Sequence, residues 1–292
     1  MAVSESADFP LLFRLARAFS TLLDGHRGQF FLYHLLSRLG QLKGAGRFRF
    51  FDSHIYIPLD IPETLFIRDF SLFEGLREVN FANAVLHNLS ANATFIDCGA
   101  AFGQVSCRIA RLCPNVGTIV AVEPNPVSCA FVEKNLALIE GKATHLVNAA
   151  VSNFRGKGEL CFPRGEHDTH SAYIRQSDSG SIEVTRIDDL APLVHGDVAL
   201  KLDVEGAELA AIEGAQETIR RADNICFLVE VHPEVLARTG YRAEDMLMAI
   251  NRIRETTWVL ADAPLTRIDP HRPFFDQVEK RIYDVIGISR RA

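Results

Sequence analysis

The chain has 292 residues, 48% of them hydrophobic and 23% charged, with a formal net charge of −6 and an isoelectric point near 5.9. This is the balance of a globular protein able to bury a large core. It argues against nucleic acid as the main partner, because such binding rests on basic surface that releases counterions.

The six cysteines, Cys98, Cys107, Cys113, Cys129, Cys161 and Cys226, form no CxxC pair, and several stand in apolar runs. Reduced, buried thiols in a cytoplasmic protein are expected. The sequence shows no secretory signal pattern and no window of about 18 uncharged apolar residues.

In chain order, Leu11 to Leu39 sets Leu and Phe at helical spacing with Arg14, Arg17, Arg27 and Arg38 between them. Two amphipathic helices broken at Asp24-Gly25 follow. Such helices ordinarily pack on their own domain or a second subunit; here the basic face also suits an anionic membrane surface or an acidic partner. Arg47 to Pro58 alternates as a β-hairpin does, and a helix is predicted from about Phe73 to Leu89. These elements make an N-terminal helical and hairpin extension, residues 1–90.

Residues 91–292 alternate strand and helix, which points to a mostly parallel α/β sheet covered on both faces. Strands are predicted at Thr94–Cys98, Thr118–Val122, His145–Val151, Val198–Asp203, Asn224–Val231, Thr257–Ala261 and Tyr283–Ser289. Helices are predicted near Gln104–Cys113, Pro126–Ile139, Glu208–Arg221 and Ala243–Glu255. Between Asn153 and Asp189 the pattern loosens, with short added strands at Gly158–Phe162 and Ser181–Thr185.

Ligands of doubly wound sheets bind at the carboxyl ends of the strands. Here acids collect at those ends: Asp97, Glu123, Asp203 with Glu205, and Glu230 with His232. In Asp97-x-Gly99-x-x-x-Gly103 the glycines let backbone approach a ligand and open a helix. The spacing is not GxGxxG, and an acid before the first glycine would repel a diphosphate while suiting an ammonium group. Glu123, in Val122-Glu123-Pro124-Asn125-Pro126, stands roughly 20 residues beyond that loop, where such folds hydrogen-bond ribose hydroxyls. Asn148 and Ala150 close the third strand, where an adenine would then lie. Lys201, Asp203 and Glu205 share one side of the fourth core strand by period two. An internal Lys201–Asp203 or Lys201–Glu230 ion pair is one account of that lysine, and Glu208 reads equally as a capping residue. His167, His170 and His195 lie in loops without distinguishing context.

Together the segments from Phe95 to Gly103, Val122 to Pro126, and Lys201-Leu202-Asp203-Val204-Glu205-Gly206-Ala207-Glu208 resemble the FkbM family of methyltransferases. The likeness runs from about Thr94 to Ala261. It implies the seven-stranded, Rossmann-like class I methyltransferase fold, S-adenosylmethionine as donor, and O-methylation of a sugar, glycolipid or polyketide hydroxyl. By that resemblance Asp97, Gly99 and Gly103 cradle the methionine end, Glu123 binds the ribose, and Asp203 stands beside the sulfonium, with Ala100 and Pro124 also counted among the cofactor-binding residues. Ala101 departs from the family, which commonly shows Asn there.

An aliphatic hydroxyl needs deprotonation during attack. His232 or Asp203 is the expected base, with Glu230 orienting the histidine and Glu205 at the same edge. The alternatives are a divalent cation held by Asp203, Glu230 and His232, a dehydrogenase, and a noncatalytic cofactor-binding protein.

Overall fold

A computed structural model describes residues 9–20, 26–72, 75–162 and 173–291. Their contacts divide the chain into two units, Met1–Glu74 and Gly75–Ala292.

In the first unit the helical spacing yields α1 (Leu11–Ser20) and α2 (His26–Arg38); the expected break at Asp24-Gly25, with Leu22, lies outside the described residues. Phe13, Ala16, Arg17 and Ser20 form the buried face of α1. The Arg17 guanidinium lies over the Phe9 and Phe48 rings and donates to the Thr64 carbonyl, so its charge is enclosed but occupied. The expected hairpin is β1 (Ala45–Phe50) and β2 (Ser53–Pro58), antiparallel, with Phe48, Phe50, Ile55 and Ile57 on its buried side.

In the second unit the helix expected from Phe73 begins, among the described residues, as α3 (Arg77–Asn88). Then come β3 (Ala93–Cys98), α4 (Gln104–Leu112), β4 (Val116–Val122), α5 (Pro126–Leu136), β5 (Ala143–Val147), β6 (Ala150–Val151) and β7 (Gly156–Cys161). After them follow β8 (Tyr173–Gln176), β9 (Ile182–Thr185), β10 (Val198–Leu202), α6 (Glu208–Glu213), α7 (Gln216–Arg221) and β11 (Asn224–Val231). The order closes with α8 (Pro233–Thr239), α9 (Ala243–Ile253), β12 (Thr257–Leu260), β13 (Arg267–Ile268) and β14 (Tyr283–Arg290).

The main sheet runs β13-β12-β14-β11-β10-β3-β4-β5. The five strands from β11 to β5 are parallel, and β14 is antiparallel to both β11 and β12. This is the seven-strand arrangement expected, with the two-residue β13 added at the edge. Successive side chains leave a strand on opposite faces, and the core follows that rule. Phe95, Ile119 and Ala199 pack with α3, α4 and α5, and Ile96, Val120 and Leu200 with α6, α7 and α9. Arg108 on α4 and Glu78 on α3, both buried, pair at 2.9 Å.

Three expectations need correction. The third strand does not run to Val151: the Val147 carbonyl accepts from the N–H of Ala149 as well as that of Glu123, which ends the ladder. Beyond that turn β6 joins a second sheet, β6-β9-β7-β8, of which only β7 and β9 were anticipated. The helix expected over Glu208–Arg221 breaks at Gly214, where a Cβ would sit 2.1 Å from the Ser152 carbonyl oxygen. The unexpected α8 has proline at its first position and Gly240, at φ +81°, after its last, both readable signals.

Candidate active site

The carboxyl ends of β3 and β10 meet at the centre of the sheet, with Asp97 opposite Lys201 in the register. Asp97 is fully enclosed and accepts from the Ser106 hydroxyl at 2.7 Å. The Lys201 ammonium stands 3.0 Å from Asp203, 3.5 Å from Asp97 and 3.0 Å from the Gly99 carbonyl oxygen. Burial pushes the Asp97 carboxyl above its ordinary range, against the pull of Lys201 and Ser106. Burial also works against the charge on Lys201, but Asp203 and Asp97 outweigh it and raise its pKa.

Gly99 follows at φ +78°, and a Cβ there would lie 1.8 Å from the Asp203 carbonyl oxygen, so no side chain fits between the two strand ends. The loop then passes through Ala101 at φ +49°, a left-handed conformation that costs alanine about 1 kcal/mol and suits asparagine better. An asparagine at this position would answer a backbone demand as well as offer a polar contact.

Glu123 ends β4. Its Oε2 accepts from the Ala101 N–H at 2.9 Å and its Oε1 from the Asn125 N–H at 2.8 Å, while the Asn125 side chain caps α5. Burial pushes the Glu123 carboxyl up to about 7, against the pull of those two amides. It is a fixed acceptor that titrates near neutrality.

These strand ends open onto a cleft at the carboxyl edge of the sheet, where ligands of doubly wound sheets bind. The glycine loop contributes Gly99 and Ala101, and β4 contributes Glu123 and Pro124. Ala149 and Ala150 line it where the chain passes between sheets, with Leu160 and Ile174 from the second sheet. Asp203 and Glu205 complete it, and no Lys, Arg or His lines it among the described residues.

The loop from Asp203 to Ala207 is held by Glu208, whose Oε1 accepts from the N–H groups of Val204 and Gly206, both at 3.1 Å, while the Tyr241 hydroxyl donates to its Oε2. Glu208 is thus a loop cap. Glu205 within this loop has φ +54°, a left-handed turn that departs from strand alternation. As a result Asp203, Glu205 and Glu230 bring carboxylate oxygens within 4.8 Å of one another. Glu230 faces Asp284 across the β11–β14 register, and burial, then Asp203, Asp284 and Glu205, push its pKa well above the usual carboxylate value. Burial lifts Asp284 to about 7 despite Arg77 at 2.8 Å.

Of the residues singled out in the sequence, Gly99, Glu123, Pro124, Ala150, Asp203 and Glu205 line the cleft. Asp97 lies behind it, bound to Lys201 and Ser106. Ala100 and Gly103 pack inward, Ala100 in the core and Gly103 at the start of α4 against Val132. Asn148 is not on the lining, and neither are Glu230 and His232. His232 stays out of the carboxylate cluster, which takes Glu205 in its place, and its Nδ1 is enclosed with no hydrogen-bonding partner among the described residues. His167 and His170 lie outside the described residues. Sequence reasoning missed Leu160 and Ile174, Asp284, and the reach of Lys201 to both strand ends.

In sequence, residues 97–255 match the methyltransferase FkbM domain. No curated protein matches the chain. Among solved structures it is similar to the methyltransferase FkbM of Methylobacillus flagellatus KT, at 15% identity and a TM-score of 0.44, covering 70% of this chain and 47% of that one. The chain thus spans about half the length of that relative. It is also similar to precorrin-6y C5,15-methyltransferase of Geobacter metallireducens GS-15 (15% identity, TM-score 0.37, 72% and 87% covered). A third is an rRNA methylase of Streptococcus thermophilus (8%, 0.40, 72% and 94%).

Proposed function

The chain belongs to the FkbM family of methyltransferases, and on that premise we propose that it moves a methyl group from S-adenosylmethionine to a hydroxyl oxygen of a sugar, glycolipid or polyketide-type acceptor. The observation that carries this reading is the charge of the cleft: Glu123, Asp203 and Glu205 line it, and no basic side chain does among the described residues. That lining suits a cofactor whose ammonium and sulfonium are cationic and repels the diphosphate of NAD.

The residues fit such a cofactor piece by piece. Glu123, held by two backbone amides, keeps acceptor capacity for a ribose diol. Ala149, Ala150, Leu160 and Ile174 offer an apolar slot for a purine. Asp203 and Glu205 stand at the remaining end. The bound cofactor supplies an electrophilic methyl group. The oxygen–carbon bond forms as the carbon–sulfur bond breaks, and the acceptor's proton passes to Asp203, whose carboxylate Lys201 orients.

In Asp203→Asn, turnover is expected to fall by about 10²–10⁴-fold, well beyond any loss of S-adenosylhomocysteine affinity by calorimetry, and no heat is expected with NAD. Full turnover in that variant overturns Asp203 as the base. His232→Ala should retain most activity, since His232 is off the cleft lining.

A second reading draws on the Asp203, Glu205 and Glu230 cluster, whose oxygens are spaced as hard-cation ligands are. A divalent cation there would lower the acceptor's pKa. If it operates, EDTA abolishes turnover and Mg²⁺ restores it. Unchanged turnover in EDTA leaves the metal-free base.

A further inference from the structure

We propose that the N-terminal unit docks on an anionic lipid surface through the outward faces of α1 and α2. On α1 the buried face is Phe13, Ala16, Arg17 and Ser20, and the opposite face is the more apolar one. Leu11, Leu15 and Phe19 stand out at 67%, 59% and 53% exposure, with Leu12 beside them. Spacings of three and four residues set these side chains in one stripe about 100° wide, the form in which a helix presents a binding face. An apolar groove runs along it, lined by Phe9, Leu11, Arg14, Leu15, Ala18 and Arg68. On α2, Phe31 and Leu35 repeat the pattern with Leu39 just past its end, all exposed and four residues apart. Contiguous exposed Leu and Phe of this kind mark an interaction surface.

The charge says which partner. The N-terminal unit as a whole is balanced, with eight Lys and Arg against eight Asp and Glu, but from Leu11 to Arg38 the sequence holds four Arg against one acid, Asp24, so the positive charge gathers along the helices. Neither helix contains an acidic residue. Arg14 and Arg38 are exposed beside the stripes and make no ion pair among the described residues. A second copy meeting this face about a two-fold axis would set like charges against each other, whereas an anionic bilayer gains from both the guanidinium groups and the inserted side chains. No helix among the described residues is long and apolar enough to cross a membrane, so this contact lies in the interface plane.

The test is co-sedimentation of the full chain with vesicles of phosphatidylcholine alone and of phosphatidylcholine with phosphatidylglycerol. Binding is expected severalfold stronger to the anionic vesicles and weakened by salt. Leu15→Glu with Phe31→Glu should weaken it about tenfold or more, and so should Arg14→Gln with Arg38→Gln. Helicity by circular dichroism and S-adenosylhomocysteine binding should be unchanged in both. Equal binding to the two vesicle types, no binding to either, or a self-associated dimer that these substitutions dissolve would overturn the proposal.

Discussion

Lys201→Met is expected to lower the melting temperature by about 10 °C, because breaking a buried charge pair costs about 3–5 kcal/mol. The methionine fills a similar volume, so the effect is electrostatic. Asp97, fully enclosed, would keep only the Ser106 hydroxyl, and Asp203 would lose the ammonium 3.0 Å away. Asp97→Asn in the same background should recover a large part of the loss, since a neutral amide no longer needs the cation. Differential scanning calorimetry of the two single variants and the double variant gives the coupling. A melting temperature within about 2 °C of the parent for Lys201→Met, or no recovery in the double variant, would show that Lys201 is not what balances this charge.

If Glu123 holds the ribose as proposed, S-adenosylhomocysteine affinity is expected to fall about tenfold from pH 8 to pH 6, because burial pushes its carboxyl up to about 7 and only the ionised form accepts from both hydroxyls. The fold feels the opposite trend. With its pKa raised above 4.5, the buried carboxylate opposes folding when ionised, by about 3 kcal/mol above pH 7. That cost disappears as pH falls from 7 toward 4.5, so on this group's account the free protein is more stable in mild acid. Asp284 also titrates near 7, and Glu123→Ala separates the two. That variant should bind about 100-fold more weakly, the loss of two charge-assisted hydrogen bonds, and show no slope of affinity with pH. A slope that survives in the variant would move the titration to another group.

Much of this was legible in the chain. An apolar run that ends in an acid announces a strand end with a task, and Glu123, Asp203 and Glu205 all reach the cleft. The period-two alternation assigned the strands because both faces of the sheet are covered. The turn at Asn148-Ala149 was hidden because apolar residues continue on both sides of it, and only a carbonyl shared by two N–H groups ends the ladder there. Leu160 and Ile174 were hidden because a second sheet, distant in sequence order, brings them to the cleft. The structure sets Glu230 in a cluster with Glu205, where the sequence paired it with His232, for a local reason. Alternation puts those two on one side, but the left-handed turn at Glu205 swings a nearer carboxylate toward Glu230. Lys201 could be read as a paired charge; that it joins both central strand ends needed the strand order.

The position of β14 bears on how the protein is made. This strand sits between β11 and β12, inside the sheet, although it follows both in the chain. Until it arrives β11 has an open edge, and Asp284 is not yet opposite Glu230. A ribosome that has delivered every residue of the cleft has still not delivered the strand that sets the charge of its neighbouring cluster. The emerging chain therefore waits with an unpaired apolar edge, the state in which a chaperone or a wrong strand competes for it.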